Sequence, residues 1–501
     1  MNIKKANKFF NRQQFNKAIK IYKKCFLKKN SSQNKCIISN QIGMCYFYLK
    51  KYNEALKFFE KSLTFHEIHE VYNNAASCFT KLKLYDKAID YGKKALMIKK
   101  SFRAFRGIGN IYFYMKKYNS AIDYYNKAIG INCNPSILYS LAFVFLALKQ
   151  FKKGFELYEN RLLIEYYNDD PKQPQARLEL PELKNWNGVD KCNHLLILSE
   201  QGLGDNILFY RYIIELSEKY PNMLITFFCK KKLYHIFKKY GNITLINDLM
   251  MPVSHADRGA FLRRIFSYKL YIISLPFILK ITSIVPNINN YIIIDEKKNE
   301  FWKEKLSNLK KFKIGISWKG LLSSFIEKDI PYEQLEPLTQ LDTSIICLHK
   351  KEDIQDIDQN MFENSIHFFN IDEDQAFSDT IAILNNIDLL ITIDSCLTYI
   401  AGIMNINTLL LLGKYSDWRW FNDEHNATPW YNSVKLIKSM KHYNDWKNII
   451  NDTKEAVCKL IKKPKYKFCN IPNLAIDNND GIEFYEKEKP PKNKSERPVL
   501  F

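Results

Sequence analysis

Leu195-Leu196-Ile197-Leu198-Ser199-Glu200-Gln201-Gly202-Leu203-Gly204-Asp205 is an apolar run that breaks into a small, acidic turn. The run reads as a buried strand, and the residues from Asn206 onward read as a helix. Strand, turn and helix in this order are how an open α/β domain builds a ligand site at the carboxyl edge of its sheet. A second stretch, Ile387-Asp388-Leu389-Leu390-Ile391-Thr392-Ile393-Asp394-Ser395, repeats the pattern about 190 residues later. The two together predict a pair of Rossmann-type parallel-sheet domains facing one cleft.

Outward from these turns, strand-like and helical runs alternate. In the first half, strands are predicted near 194–199, 223–228, 243–246 and 269–273, with helices near 206–219 and 231–240. In the second half, strands near 312–317, 343–348, 366–369, 387–393 and 407–412 alternate with helices near 297–308, 332–341, 376–385, 397–404 and 445–461. Such alternation implies parallel sheets covered by helices on both faces. The predicted lobes are residues 191–295 and 296–462. Residues 166–190, polar and proline-bearing, read as a linker. Residues 463–501, with Lys489-Pro490-Pro491-Lys492, read as an extended tail.

The first third has a different pattern. Ala55, Ala88, Ala121 and Gly154 recur at intervals of 33 residues, preceded by Ala18. Twelve residues before each stands another small residue: Ala6, Gly43, Ala76, Gly109 and Ala142. Aromatics follow this second set at Phe9, Tyr46, Phe79, Tyr112 and Phe145. Small residues let two helices approach closely and aromatics fill the groove between them. A helical hairpin cannot bury its face alone, so about five must stack into a superhelix over residues 1–165. Spacing and residue types resemble the tetratricopeptide repeat. The resemblance implies an α-solenoid whose concave surface receives a peptide partner, or which acts as a plain spacer.

Composition limits the function classes. With 501 residues, 46% of them hydrophobic, the chain can bury several large cores. The eleven cysteines form no CxxC and no zinc spacing, which fits a reducing cytosol and no metal. Met1-Asn2-Ile3-Lys4-Lys5-Ala6-Asn7 leads into no apolar signal core, and no apolar run is long enough for a span, so a cytoplasmic location is expected. The net charge of +22 comes from lysine spread along the chain. No basic patch with interleaved aromatics stands out, so no nucleic-acid partner is expected. At most peripheral association with the inner membrane surface follows from the charge.

The first turn carries candidate chemistry. Gly202 and Gly204 remove Cβ atoms where a ligand must come close, and the following helix points its amides into the cleft. Asp205 is a candidate acid–base residue; its simpler reading is a helix cap. Asp372-Glu373-Asp374 imitates a metal-binding DxD but lies in a polar turn. His66 and His69 have no further ligand nearby, and Gly107-Ile108-Gly109 belongs to a repeat helix.

An ordered set of stretches carries a second resemblance: Tyr158-Glu159-Asn160-Arg161, Trp186-Asn187-Gly188, Glu200 to Tyr212, Ser274-Leu275-Pro276, Ile314 to Gly320, Phe377-Ser378-Asp379-Thr380, Asp388 to Gly402, Asp417-Trp418-Arg419-Trp420 and Pro429-Trp430-Tyr431. Together they resemble a bacterial family that joins tetratricopeptide repeats to a glycosyltransferase domain similar to the lipopolysaccharide heptosyltransferases (glycosyltransferase family 9-like). The resemblance implies a GT-B-like pair of Rossmann-type lobes after the α-solenoid. It implies metal-independent transfer of a sugar from a nucleotide-diphosphate sugar, a co-substrate rather than a bound cofactor. The acceptor hydroxyl would belong to a glycan, a lipid-linked saccharide or a protein.

In that family the aspartate matching Asp205 is the proposed base, which suits a carboxylate taking the acceptor proton. Gln201, Gly202, Gly204, Arg211 and Arg419 fall on the cleft or acceptor side. Ser317, Trp318, Lys319, Lys328, Asp394, Ser395, Cys396 and Tyr399 fall where relatives hold the donor phosphates. The chain departs from the family at Tyr399, where a histidine is usual. Tyrosine donates a hydrogen bond but brings no positive charge near neutral pH. That departure motivates the alternative of a non-catalytic scaffold with a degenerate transferase-like body.

Overall fold

The computed structural model describes residues 3–28, 30–164, 183–247, 250, 260, 262, 264–286, 289–310, 312–320, 328–362, 365–414, 416–421, 426–438, 445–463, 468, 474–477 and 481–484. It divides into two compact units, residues 1–174 with 276–283, and residues 175–275 with 284–501. Most of the predicted linker and tail lies outside the described residues.

In the first unit, each small-residue pair builds one helical hairpin. The ten helices are α1 (Ile3–Asn11), α2 (Phe15–Phe26), α3 (Ser32–Tyr48), α4 (Tyr52–Leu63), α5 (His69–Lys81), α6 (Tyr85–Ile98), α7 (Phe102–Tyr114), α8 (Tyr118–Ile131), α9 (Pro135–Ala147) and α10 (Phe151–Tyr158). Ala6, Ala18, Ala55, Ala88 and Ala121 are fully buried at the hairpin crossings. Gly43 is tighter still: a Cβ there would lie 2.6 Å from the Phe59 ring. Every hairpin turn has the same cap. The second residue after the first helix takes φ near +60° at Gln13, Lys50, Lys83, Lys116 and Lys149. The next amide then donates back five residues, as Lys51 N does to the Tyr46 carbonyl at 2.9 Å and Gln150 N to Phe145 at 2.8 Å. This is the Schellman arrangement that ends a helix.

The second unit holds two parallel sheets. The first is built from β1 (Lys184–Asn185), β2 (His194–Leu198), β3 (Leu224–Phe228), β4 (Ile243–Ile246) and β5 (Tyr268–Tyr271), in the order β1-β5-β2-β3-β4. The second comprises β6 (Lys313–Ser317), β7 (Ser344–Cys347), β8 (Ile366–His367), β9 (Leu389–Ile393), β10 (Thr408–Leu412) and β11 (Val434–Lys438), in the order β11-β10-β9-β6-β7-β8. All pairings in both sheets are parallel. Continuous apolar runs supply the buried strands, as expected for sheets covered on both faces. The helices that matter for the site are α11 (Leu203–Lys219), α12 (Glu296–Lys305), α13 (Ser378–Asn385), α14 (Cys396–Ile403) and α15 (Trp446–Ile461).

Strand order reverses between β2 and β5 in the first sheet and between β6 and β9 in the second, while the strands stay parallel. Ligands of open α/β sheets sit at such switch points, beyond the carboxyl ends of the strands. Both turns singled out in the sequence leave the sheets there.

Three expectations need correction. Residues 231–240 form no α-helix; only Lys231–Leu233 makes a 3-10 turn. Leu233, Ile236 and Phe237 have helical spacing and are buried. The backbone instead follows an antiparallel bridge from Phe237 to Ile292, with Lys238 N donating to the Tyr291 carbonyl at 2.9 Å. The predicted helix 332–341 splits into a 3-10 turn, Tyr332–Leu335, and one α turn, Glu336–Thr339, with Pro337 at its start. The end of the predicted linker is not a linker: Lys184–Asn185 pairs with β5 and Trp186 is buried.

Candidate functional site

Asp205 is fixed by the turn that precedes it. Gln201 takes φ +55°, and its carbonyl accepts a hydrogen bond from Lys230 Nζ. Gly202 caps α11, and its amide donates to Asp205 Oδ2 at 2.9 Å. Asn206 Nδ2 closes the turn by donating to the carbonyls of Glu200 (2.9 Å) and Gly202 (2.7 Å). The capping reading of Asp205 therefore holds for one oxygen. The other, Oδ1, accepts from Arg419 Nη2 at 2.5 Å.

Arg419 comes from the 3-10 turn after β10, whose start is capped by Asp417. Its Nη1 donates to Asp417 Oδ1 at 2.8 Å, so one guanidinium bridges two carboxylates. Burial pushes the Asp205 carboxyl above its usual range, against the pull of Arg419 and the Gly202 amide. Asp417 goes the other way. Burial alone would raise it, but Arg419 and Lys328 together hold it below the ordinary value.

The second turn supplies another ion pair. Lys328 Nζ donates to Asp394 Oδ2 at 2.5 Å, in a largely buried setting. Burial opposes the charge on Lys328, yet Asp394 wins and its pKa is raised. Ser395 occupies the cap position of α14 but makes no side-chain cap; its hydroxyl lies 3.3 Å from that of Thr392. Cys396 opens the helix, and burial pushes its thiol up to about 11.

Tyr399 lies between these pairs. It stacks on Trp420 with ring centroids 5.5 Å apart and planes at 16°. Burial, then Asp394, keeps its hydroxyl protonated far beyond the physiological range. The same ring explains Gly204, where a Cβ would stand 2.8 Å from Tyr399 Cε2. Gly204→Ala is therefore expected to push α11 and α14 apart. The cost should be about 1–3 kcal/mol in chemical unfolding; an unchanged midpoint would mean that the contact yields freely.

The turn after β6 departs from expectation. The Trp318 side chain lies in the core of the second sheet, against Tyr332 and His349, and is not a cleft residue. Its amide and that of Lys319 donate to His349 Nε2 at 3.0 and 3.3 Å. The Lys319 ammonium reaches out to Asp356 at 2.7 Å and does not join the other cations. Ser317 is buried at the strand end.

His349 accepts at Nε2 and is thus neutral, and burial, aided by Lys319, lowers its pKa from 6.5 to about 4. The unfolded chain binds this proton from about pH 6.5 downward, whereas the folded chain resists it until about pH 4. The contribution of His349 is full above pH 6.5 and is lost as pH falls towards 4, about 3 kcal/mol in all. Urea unfolding at pH 7 and pH 4.5 should show this loss, and His349→Gln should remove most of the difference.

Other residues separate from the site. Arg211 Nη2 donates to the Val285 carbonyl at 2.7 Å and packs near Trp430, which fits a structural role on α11. Asp372 caps α13, accepting from the amides of Asp379 (2.8 Å) and Thr380 (3.2 Å). Asp374 pairs with Lys298 of α12 at 2.9 Å. Among the described residues, no group of three acidic, histidine or cysteine side chains is arranged to hold a metal.

Sequence reasoning missed Lys230, His349 and the role of Asp417. Each follows a buried strand at its carboxyl end: β3, β7 and β10. That position was the available signal. Burial lowers the Lys230 pKa, while Asp205 and Glu200 pull it up.

Family models described as tetratricopeptide repeat match residues 38–65, 69–102 and 102–132. Protein FlbA of Caulobacter vibrioides is 23% identical over 292 residues, which is 54% of this chain and 47% of FlbA. The chain thus matches about half the length of that curated protein. Among solved structures, MamA is 22% identical, covers 33% of this chain and 99% of its own, with a TM-score of 0.28. PilF of Pseudomonas aeruginosa is 19% identical, covers 32% and 73%, with a TM-score of 0.29. Residues 38–132 of this chain are tetratricopeptide repeats.

Proposed function

We propose that the second unit is a glycosyltransferase with a GT-B-like pair of lobes, hexosyl- or heptosyltransferase-like and metal-independent. It moves a sugar from a nucleotide-diphosphate sugar to the hydroxyl of a glycan, a lipid-linked saccharide or a protein. The repeats recruit the acceptor or another protein partner. One observation carries this reading: at the carboxyl edges of the two sheets, a carboxylate, Asp205, pairs with Arg419, and Lys328, paired with Asp394, acts with Arg419 on the same third carboxylate, Asp417. The acceptor hydroxyl gives its proton to Asp205 as its oxygen bonds to the anomeric carbon. The bond from that carbon to the phosphate oxygen breaks, and the nucleoside diphosphate leaves with the electron pair. Lys328, Arg419 and the first amides of α14 meet the charge that develops. The diphosphate takes Lys328 over from Asp394 and Arg419 over from Asp417.

The test is titration and turnover with a panel of labelled nucleotide sugars. Saturable binding with transfer or hydrolysis supports the reading, and neither with any donor removes it. A second reading, a non-catalytic scaffold on a degenerate body, rests on Tyr399: a neutral, stacked ring stands where a cation is expected. Folded protein that binds partners but no nucleotide would favour that reading. No helix among the described residues is long and apolar enough to cross a membrane.

A further inference from the structure

The five hairpin turns of the repeat array place one residue each in the left-handed region, where glycine or asparagine is at ease and a long side chain is not. Four of the five are lysines: Lys50, Lys83, Lys116 and Lys149, at φ +59°, +63°, +59° and +60°. The turn without one has Arg12 beside Gln13. Further lysines flank the row, among them Lys51, Lys117 and Lys152, and Asp86 is the single acid in the six-residue stretches centred on these turns. Chain-wide, 75 basic residues face 53 acidic ones, so a general abundance of lysine does not account for this ratio.

The turns at the other ends of the hairpins carry lysine less regularly: residues 27–31 hold Lys28 and Lys29 and residues 99–101 hold Lys99 and Lys100, but residues 64–68 hold Glu67 and no lysine, and residues 132–134 hold no charge. Stacked hairpins line up their turns along one edge, and Lys81 reports the crowding. Burial and then the neighbouring Lys50 lower its pKa.

The edge is also tipped with apolar groups. Tyr48 is 49% exposed and Leu84 44% exposed, each within two residues of a row lysine. At the last turn, Lys149, Lys152 and Lys153 line an open depression of about 430 Å³ together with Phe151, Glu156 and Thr282. A row of cations with aromatic and aliphatic tips, on an edge rather than in a groove, is the chemistry of an anionic bilayer surface. We propose that the edge of the array marked by Lys50, Lys83, Lys116 and Lys149 docks on the anionic phosphate headgroups of a membrane. This does not depend on the transferase reading.

The full chain is mixed with phosphatidylglycerol-containing vesicles and with pure phosphatidylcholine vesicles in about 50 mM and about 500 mM salt, and bound protein is sedimented. Binding is expected only to the anionic vesicles at low salt. The quadruple variant Lys50→Asn, Lys83→Asn, Lys116→Asn, Lys149→Asn keeps a residue suited to positive φ at every turn, so its melting temperature should not fall. Its partition onto vesicles should drop by about 100-fold. A control with Lys28→Asn, Lys57→Asn, Lys99→Asn and Lys100→Asn loses the same charge elsewhere and should lose less than about threefold. No binding by the parent chain, or equal losses in both variants, would overturn the proposal. Duplex DNA bound at the same salt with the same selective loss would overturn it too, by assigning the edge to another polyanion.

Discussion

Asp205→Asn is expected to lower sugar transfer by about 10²–10⁴-fold while leaving donor affinity essentially unchanged. Asparagine has the same size, and its side-chain oxygen can still accept from the Gly202 amide, which now lies 2.9 Å from the carboxylate. What it lacks is a lone pair basic enough to take a proton. Burial raises the Asp205 pKa, and a carboxylate shifted towards the working pH is a better base than an ordinary one. The same direction fixes the pH dependence. Transfer should fall as pH drops through the raised pKa, because the protonated acid accepts nothing. Single-turnover transfer of a labelled sugar, paired with an equilibrium titration of the donor, separates the outcomes. Unchanged transfer would exclude Asp205 as the base. Loss of donor binding as well would mean that Asp205 acts by holding Arg419 in place for the diphosphate.

The sequence makes some of this legible and hides the rest for physical reasons. Buried parallel strands announce themselves as continuous apolar runs, so β2, β6, β9 and β10 and the two turns beyond β2 and β9 can be read directly. The 33-residue period exposes the hairpins because each unit repeats one packing problem. Short-range signals fail where a distant partner decides. Leu233, Ile236 and Phe237 look helical until Ile292 bridges to Phe237 and claims the backbone. Trp318 resembles a ligand contact in a loop after a strand, yet the His349 and Tyr332 rings turn it inward. Lys319 and Lys328 are equivalent lysines in sequence. Asp356 draws one outward and Asp394 holds the other inside, and neither partner is within 30 residues of its lysine. The clustering of Asp205 with Arg419, 214 residues apart, is likewise invisible without the fold.

Lys328→Ala should destabilise the second unit by about 3 kcal/mol and weaken nucleoside diphosphate binding by about 10–100-fold. Asp394 keeps only 9% of its side chain exposed, and its pairing with Lys328 is what makes that burial tolerable. Removing the lysine leaves a carboxylate cut off from water, a larger cost than the net worth of the pair. Lys328 itself is 24% exposed, which places the effect at the low end for a buried pair. The two losses have different origins, and a double variant tells them apart. Lys328→Met with Asp394→Asn removes both charges and keeps comparable volumes, so unfolding should return to within about 1 kcal/mol of the parent chain. Binding should not return, because the diphosphate still lacks its point charge. If the double variant recovers binding together with stability, Lys328 only supports the turn at Asp394, and the phosphate grip lies with Arg419 and the amides of α14.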